Sequence, residues 1–223
     1  SANSIKREGT ILVCGTFNFY NGTLDGGCYN TVFVYETGKF NAYGGTIENT
    51  ALEYNYSADA AIYSLGEVVI DGATINMNVD SGVPYDYPNR VNNRKKQTST
   101  HSATFTLKSG LITGRIWNGG TFNVEGGKIE IESAWDMIMN YYYGVMNVSG
   151  GEIIGIGTES SSAASRLIVE TTDSTGDTSD TVVSVSGGKL VAKHKRNYSS
   201  SGSRVIQAKT IHVSGGDFRN EAG

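Results

Sequence analysis

The residues of this sequence whose types and spacing best suit chemistry are aromatic. Tyr85 and Tyr87 lie between Pro84 and Pro88, in a stretch that proline marks as a loop and that is too short to bury both rings. An exposed ring offers a flat apolar face with a polar rim, which suits stacking on a sugar ring. The alternative is that such rings pack the loops onto the fold. We predict a carbohydrate-binding set that consists of Tyr85, Tyr87, Trp117, Trp135, Tyr141, Tyr142 and Tyr143.

Metal chemistry has little support in the sequence. His101, His194 and His212 are scattered, with no pair at the spacing of metal ligands, so we expect no metal site and no cofactor. The acidic segment 173–180 is the exception, because its carboxylates offer oxygen ligands for calcium, although their spacing differs from that of an EF-hand. Cys14 and Cys28 are the only cysteines. They form either a disulfide in an exported protein or two buried thiols.

Charge and hydrophobicity give no support for two classes of partner, nucleic acid and membrane. With 18 Lys and Arg against 22 Asp and Glu, the net charge is −4, whereas a nucleic-acid-binding domain usually has a basic excess. No stretch approaches the roughly 20 apolar residues of a membrane helix, so we expect no membrane span. Basic clusters such as Arg94 to Lys96 offer contacts to an acidic polysaccharide, but charge runs in loops are more often solvated.

The elements that must position these side chains come from an internal repeat. Its unit is eight residues long: apolar, polar, apolar, variable, Gly, Gly, variable, apolar. The clearest copies are residues 122–129, 146–153, 183–190 and 211–218; residues 40–47 match well, and 17–24, 68–75 and 105–112 match more weakly. Eight copies in one orientation predict a stacked, repetitive architecture.

Each unit reads as two short strands joined at a corner. Alternating apolar residues at positions one and three indicate a strand with one buried face, and position eight begins a second strand that faces the same interior. Glycine permits positive φ at the corner. A further apolar segment precedes most units, so two or three strands per repeat predict an all-β, right-handed parallel β-helix of about eight coils. The antiparallel sandwich is the structural alternative.

Stacking places equal repeat positions in columns, which tests for catalysis. Positions four and seven do not bring two carboxylates together in adjacent coils, so we predict no catalytic residues. Position seven instead ends with Lys128, Glu152, Lys189 and Asp217, whose alternating signs predict a salt-bridge ladder. Three insertions, 80–101, 170–180 and 193–203, interrupt the units and are predicted to be loops on which function is built.

Units such as Val185-Ser-Gly-Gly-Lys-Leu190 and the run from Ala61 to Gly72 resemble the repeats of bacterial cell-surface and secreted β-helix proteins, which share a pectate-lyase-like architecture. The resemblance covers roughly residues 11–218 and implies an extracellular or cell-surface location. It does not imply one activity, since lyases, hydrolases, tailspikes, adhesins and carbohydrate-binding proteins all use this architecture.

These observations lead to two functional hypotheses. The first is a non-enzymatic adhesin or rigid surface scaffold that contacts polysaccharide or a cell-surface glycan. The alternative is a polysaccharide lyase or glycoside hydrolase whose active site is built from the long loops. We expect residues 1–223 to form a single β-helix domain. Because no capping element follows Phe218, we also expect a fragment of a longer repeat protein, with end-to-end contact to flanking repeats or another subunit.

Overall fold

A computed structural model gives the fold of the chain. It describes residues 9–26, 30–49, 60–76, 90–94, 102–133, 136–141, 143–157, 166–171, 181–194 and 204–222. The secondary structure of these residues is all β, in 22 strands numbered along the chain. Within these ranges, no helix has the length and apolar character needed to span a membrane.

The first sheet takes one strand from each layer of the repeat. In spatial order its strands are β1 (Gly9–Val13), β4 (Asn30–Val34), β7 (Ala60–Ser64), β9 (Arg90–Asn93), β11 (Arg115–Asn118), β14 (Ile138–Tyr141), β17 (Arg166–Thr171) and β20 (Arg204–Gln207).

The second sheet has 14 strands and contains the eight-residue units themselves. Most units contribute one strand on each side of the glycine corner, whereas two units run through the corner as single ten-residue strands. The strands are β2 (Thr16–Phe19), β3 (Thr23–Gly26), β5 (Lys39–Ala42), β6 (Thr46–Asn49), β8 (Glu67–Asn76), β10 (Thr104–Thr113), β12 (Thr121–Val124), β13 (Lys128–Ser133), β15 (Val145–Val148), β16 (Glu152–Gly157), β18 (Val182–Val185), β19 (Lys189–His194), β21 (Thr210–Val213) and β22 (Asp217–Ala222).

Every strand pairing among the described residues is parallel. The registers join equal repeat positions, so that Phe122 pairs with Phe105 on one side and with Met146 on the other. The long parallel sheets are curled and form a solenoid-like all-β fold. This result excludes the antiparallel sandwich for the described strands.

The larger of two apolar clusters among the described residues lies between the two sheets, and the smaller one surrounds Phe33 and Tyr63. Positions one, three and eight of the unit point into the larger cluster, as the alternation predicts, and the first sheet supplies Val32, Ile62, Ile116 and their equivalents. Aromatic rings at position one stack on one another along the column, with 4.7 Å between the ring centroids of Phe105 and Phe122. Position-specific burial therefore fixes which face of every strand is internal.

The two glycines of the corner are needed for different reasons, which residues 150 and 151 illustrate. A Cβ on Gly150 would lie 2.2 Å from the carbonyl oxygen of Glu125 in the preceding repeat, a distance no real side chain tolerates. Gly151 has a φ of 74°, in the left-handed region that favours glycine. The same backbone turn is therefore copied from repeat to repeat, and the strands after it stay in register.

One strand falls where the sequence predicts only a loop. β9 lies inside the interruption 80–101 and pairs with β7 and β11. Its Val91 is fully buried in the core at the position of Ile62 and Ile116. Because β9 has only one apolar side chain between polar neighbours, strand periodicity does not reveal it.

Buried asparagines line the end of the first sheet. Asn93, Asn118 and Asn140 occupy equivalent positions in successive strands and are fully buried. The Nδ2 of Asn93 donates to the Oδ1 of Asn118 at 2.8 Å, and the Nδ2 of Asn118 donates to the Oδ1 of Asn140 at the same distance. Each amide also donates to a backbone carbonyl of the following corner, such as that of Val145, 3.0 Å from Asn118. This ladder satisfies polar groups that the corner would otherwise bury.

The last described repeat is less covered than the others. Ile211, Val213 and Phe218 stand at positions that are buried in the preceding repeats, yet they are exposed here. The expected end-to-end contact stays a prediction.

Candidate functional site

The most exposed aromatic group of the described residues lies at the first two corners of the second sheet. Tyr20 and Tyr43 hold position four of successive units and are 68% and 45% exposed. Their rings stack on each other, with 5.2 Å between centroids and 17° between planes. Two parallel phenol rings that share an exposed edge form an aromatic platform with hydroxyl groups at its rim.

Backbone contacts between the two repeats hold this pair in place. The N–H of Tyr43 donates to the carbonyl of Phe19 at 2.8 Å, and the N–H of Thr46 donates to that of Gly22 at 2.8 Å. Gly45 has a φ of 79°, and a Cβ there would lie 2.5 Å from the Gly22 oxygen. The second corner therefore sits directly against the first, and the two rings inherit the spacing of paired strands.

Polar columns flank the platform on both sides. On one side the Nδ2 of Asn41, which is buried, donates to the Oδ1 of the exposed Asn18 at 2.8 Å. On the other side Thr23, Thr46 and Thr74 stand in register on neighbouring strands. We call Tyr20, Tyr43, Asn18, Thr23 and Thr46 the tyrosine face. Its rings and its amide and hydroxyl groups are the groups that proteins use to contact the faces and hydroxyls of sugars.

A groove of about 460 Å³ opens at the other end of the strands that carry this face. Its polar lining consists of Glu36, Thr37, Lys39, Glu67, Ser102 and Thr104. Lys39 and Glu67 are partners in the register of β5 and β8, and their side chains form an ion pair with an Nζ–Oε1 distance of 2.7 Å. We call this the corner groove.

Two carboxylates stack in neighbouring strands beyond the threonine column. Asp25 and Glu48 are register partners in β3 and β6, one residue after position eight of the unit. The Nδ2 of Asn76 donates to Glu48 at 3.2 Å from the next strand. This adjacent pair lies outside the columns at positions four and seven, on which the prediction of no catalytic residues rests.

The column at position seven changes character along the stack. Its later members Lys128, Glu152, Lys189 and Asp217 are in register, as predicted. Lys189 and Glu152 form an ion pair at 2.7 Å, while Asp217 pairs with Arg219, also at 2.7 Å.

These ion pairs shift the pKa values of the side chains that form them. The hydrogen bond from Lys189 holds the pKa of Glu152 below its ordinary value. The hydrogen bond from Arg219 lowers the pKa of Asp217 in the same way. Lys128 has its pKa raised by its hydrogen bond to Glu130. These shifts favour the charged forms of groups that already have partners, which is the behaviour of a structural ladder.

Of the aromatic residues predicted from the sequence, the structure describes the side chains of Trp117 and Tyr143 only, so the predicted set stays a prediction. Trp117 lies on the outer face of β11, half-buried, with the Arg94 guanidinium 5.4 Å from its ring centroid. Tyr143 is 49% exposed at the corner between β14 and β15. Tyr141 ends β14, and its side chain is not described. Outside the described residues lie Tyr85, Tyr87, Trp135 and Tyr142.

The remaining predictions concern cysteine and metal. Cys14 is exposed, and Cys28 lies outside the described residues, so the disulfide stays a prediction. The same holds for calcium at 173–180, which is also outside them. Within the part of the chain that the structure describes, no three His, Cys, Asp or Glu side chains gather closely enough to hold a metal ion.

The sequence contains a signal for the tyrosine face. Tyr20 and Tyr43 are separated by the same 23 residues that separate their repeats, and position four is a corner that points outward. Two aromatic residues at one outward position of adjacent repeats must stack on the surface.

A comparison with protein-family models, curated proteins and solved structures finds no match to this chain.

Proposed function

We propose that the chain is a non-enzymatic, extracellular β-helix module, an adhesin or rigid surface scaffold, that binds polysaccharide through its tyrosine face. The observation that carries this proposal is the exposed Tyr20–Tyr43 stack. Exposed large rings are costly to leave in water, and a rigid, already stacked pair loses little conformational entropy when a ligand binds.

The finer architecture belongs to the same proposal. The first sheet forms one ladder of parallel strands, and the second sheet forms two, one on each side of the glycine corner. In each ladder, neighbouring strands come from successive repeats. This arrangement fits a right-handed β-helix of eight coils. Right-handed crossovers are the rule for parallel strands of one sheet. Such a rod presents equal positions of successive coils about 4.8 Å apart, which suits a polymer ligand made of repeated units.

A polysaccharide lyase or glycoside hydrolase remains the second candidate, and one observation favours it. Asp25 and Glu48 are adjacent carboxylates, and retaining glycosidases place two carboxyl groups about 5 Å apart. Incubation with neutral and acidic polysaccharides, followed by assays for reducing ends and unsaturated products, distinguishes the two. We expect no turnover; turnover that Glu48→Gln abolishes would establish the enzyme instead.

Affinity electrophoresis through gels that contain single polysaccharides tests the binding proposal. Retention of the unaltered chain in at least one gel is expected. The double variant Tyr20→Ala/Tyr43→Ala should weaken that retention about tenfold, because one or two stacking contacts contribute about 1 kcal/mol or more.

Tyr143→Ala distinguishes the tyrosine face from the aromatic set predicted from the sequence, since it removes an exposed tyrosine of that set at another corner. Its retention should equal that of the unaltered chain. Loss of retention in Tyr143→Ala but not in the double variant would contradict the proposal, as would failure of the chain to bind any polysaccharide tested. Circular dichroism spectra of all three proteins check that the fold is kept.

A further inference from the structure

Two Asn-Gly dipeptides occur in the sequence, Asn21-Gly22 and Asn118-Gly119. This dipeptide is chemically labile, because the backbone nitrogen after the asparagine can attack the side-chain carbonyl carbon and glycine has no side chain to hinder the approach. The structure places the two dipeptides in opposite surroundings. They therefore form an internal comparison in which the local chemistry is the same and the fold differs.

The first dipeptide lies at an exposed corner, between β2 and β3, and both of its residues are exposed. The N–H of Gly22 donates to the Oδ1 of Asn21 at 2.8 Å. Because a C=O bond is about 1.23 Å long, the Gly22 nitrogen lies within about 4 Å of the Asn21 Cγ. Gly22 has a φ of 109°, in the region that glycine alone adopts readily, so its backbone is free to rotate toward that carbon.

The second dipeptide is held by hydrogen bonds on every side. Asn118 is fully buried, and its Nδ2 donates to the Oδ1 of Asn140 at 2.8 Å and to the carbonyl of Val145 at 3.0 Å. Its Oδ1 accepts from the Nδ2 of Asn93 at 2.8 Å. The N–H of Gly119, which would have to attack, donates instead to the Asn93 carbonyl at 2.7 Å. Reaction at this position therefore requires local opening of the fold.

We propose that Asn21 is a site of spontaneous deamidation in the folded protein and that the fold protects Asn118 from the same reaction. The deprotonated backbone nitrogen of Gly22 attacks the Cγ of Asn21, and the new C–N bond closes a succinimide ring. The bond from Cγ to Nδ2 breaks, and Nδ2 leaves as ammonia with the proton that Gly22 gave up. One water molecule then opens either C–N bond of the ring, which leaves aspartate or isoaspartate at position 21.

This reaction changes the tyrosine face. Position 21 follows Tyr20, so either product adds a carboxylate directly beside an exposed ring. Isoaspartate also carries the main chain through the side-chain carbon and so lengthens it by one atom. The backbone hydrogen bonds that Tyr43 and Thr46 donate to the first corner lie on either side of position 21. The longer chain must fit between these two fixed points, so we expect the contact between the first two corners to loosen.

Peptide mass spectrometry of the whole folded chain, incubated in mildly alkaline buffer, tests the proposal. Conversion is measured as the gain in mass when –OH replaces –NH2, and isoaspartate is measured by labelling with an isoaspartate-specific methyltransferase. The peptide that contains Asn21 should convert at least about tenfold faster than the peptide that contains Asn118, which corresponds to about 1.4 kcal/mol in activation free energy. Conversion of Asn21 that is no faster than that of Asn118 would overturn the proposal.

Incubation of the same chain in concentrated urea is the control for the fold. Both dipeptides should then convert at similar rates, because unfolding removes the hydrogen bonds that hold Asn118. A difference that stays equally large in urea would come from the flanking sequence and would also overturn the proposal.

Asn21→Gln is the matched variant. It keeps an amide at the corner, but its longer side chain would have to close a larger ring. Conversion of this peptide should therefore be lost, while conversion at Asn118 should be unchanged. Continued conversion of the peptide in the variant would assign the reaction to another residue and contradict the proposal.

Discussion

The repeats up to residue 76 and the repeats from residue 102 onward share one inner wall, yet their outer faces carry different chemistry. In the first region a stacked tyrosine pair, a row of threonines and an excess of carboxylates face outward. In the second, charges of both signs alternate in one column: Glu152 pairs with Lys189 across strands, whereas Lys128 and Asp217 pair with Glu130 and Arg219 of their own strands. The same repeat position is threonine in the three units of the first region and charged in the last four units of the second.

This difference follows from how a stacked fold is constrained. Inward positions must fill a shared core at high density, so they vary little in character from repeat to repeat. Outward positions need only tolerate their register neighbours about 4.8 Å away. A column that carries exposed aromatic rings is therefore available for a ligand, whereas charged side chains that pair with a neighbour already have their partner.

The largest expected effect is the loss of stability on replacing a buried aromatic ring, compared with an exposed one. Phe122→Ala removes a fully buried ring stacked on Phe105 and should lower the free energy of unfolding by about 3–5 kcal/mol. Tyr43→Ala, at a half-exposed position, should lower it by less than about 1 kcal/mol while weakening glycan binding. Urea denaturation followed by circular dichroism measures both. A similar stability loss in the two variants would mean that Tyr43 is a packing residue.

A smaller loss of stability is expected from substitutions in two ladders of asparagine side chains, one buried and one on the outer face. Asn118→Ala leaves the buried amides of Asn93 and Asn140 each short of a partner and should cost about 2–3 kcal/mol. Asn123→Ala interrupts the outer ladder, in which Asn147 donates to Asn123 at 2.9 Å, and water can replace that partner. We expect a cost of about 0.5–1 kcal/mol. If Asn123→Ala lowers the free energy of unfolding as much as Asn118→Ala in the same denaturation assay, the expected difference between the two ladders is wrong.

The smallest effect concerns pH and the ladder of the second region. Because the pKa of Glu152 is lowered in the folded chain, its ion pair stabilises the fold above the ordinary value of 4.5 and loses that contribution as pH falls below it. Solvent reaches both partners, so the contribution should be only about 0.5 kcal/mol.

Unfolding measured at pH 7 and at pH 3 checks this expectation. Glu152→Gln should be slightly less stable than the unaltered chain at pH 7 and equally stable at pH 3. An equal difference at both pH values would show that the side chain acts through packing and not through its charge.

Much of the architecture could be predicted because the repeat encodes it directly. Gly150 and Gly151 indicate a corner, and the apolar residues on either side indicate the inward positions of both flanking strands. The register of whole columns, including Lys128 to Asp217, follows from aligning the units. β9 was missed because Val91 alone faces the core there, and a single apolar residue carries no periodicity.

The prediction from the sequence does not include the tyrosine face, for a related reason, and its aromatic set stays a prediction. The expected aromatic set was drawn from clusters along the chain, such as Tyr141 to Tyr143, whereas the platform comes from two residues 23 positions apart. Trp117, one of the expected residues, is half-buried beneath the Arg94 guanidinium instead of standing open on the surface. Closeness in sequence does not place side chains together on a strand, because neighbours alternate between faces.

The sequence by itself determined the all-β class, the corners and the inward face of each strand, because glycine conformation and alternating burial are local properties that each unit repeats. Only the tertiary structure decided which of the aligned side chains make contact, since Lys189 pairs with Glu152 of the next strand whereas Asp217 pairs with Arg219 of its own. The stacking of Tyr20 on Tyr43, the adjacency of Asp25 and Glu48, and the groove beside Lys39 all depend on parallel register between segments 23 or more residues apart. That register is set when the strands pair around a shared core. These surface side chains therefore come into contact only after the repeats have stacked.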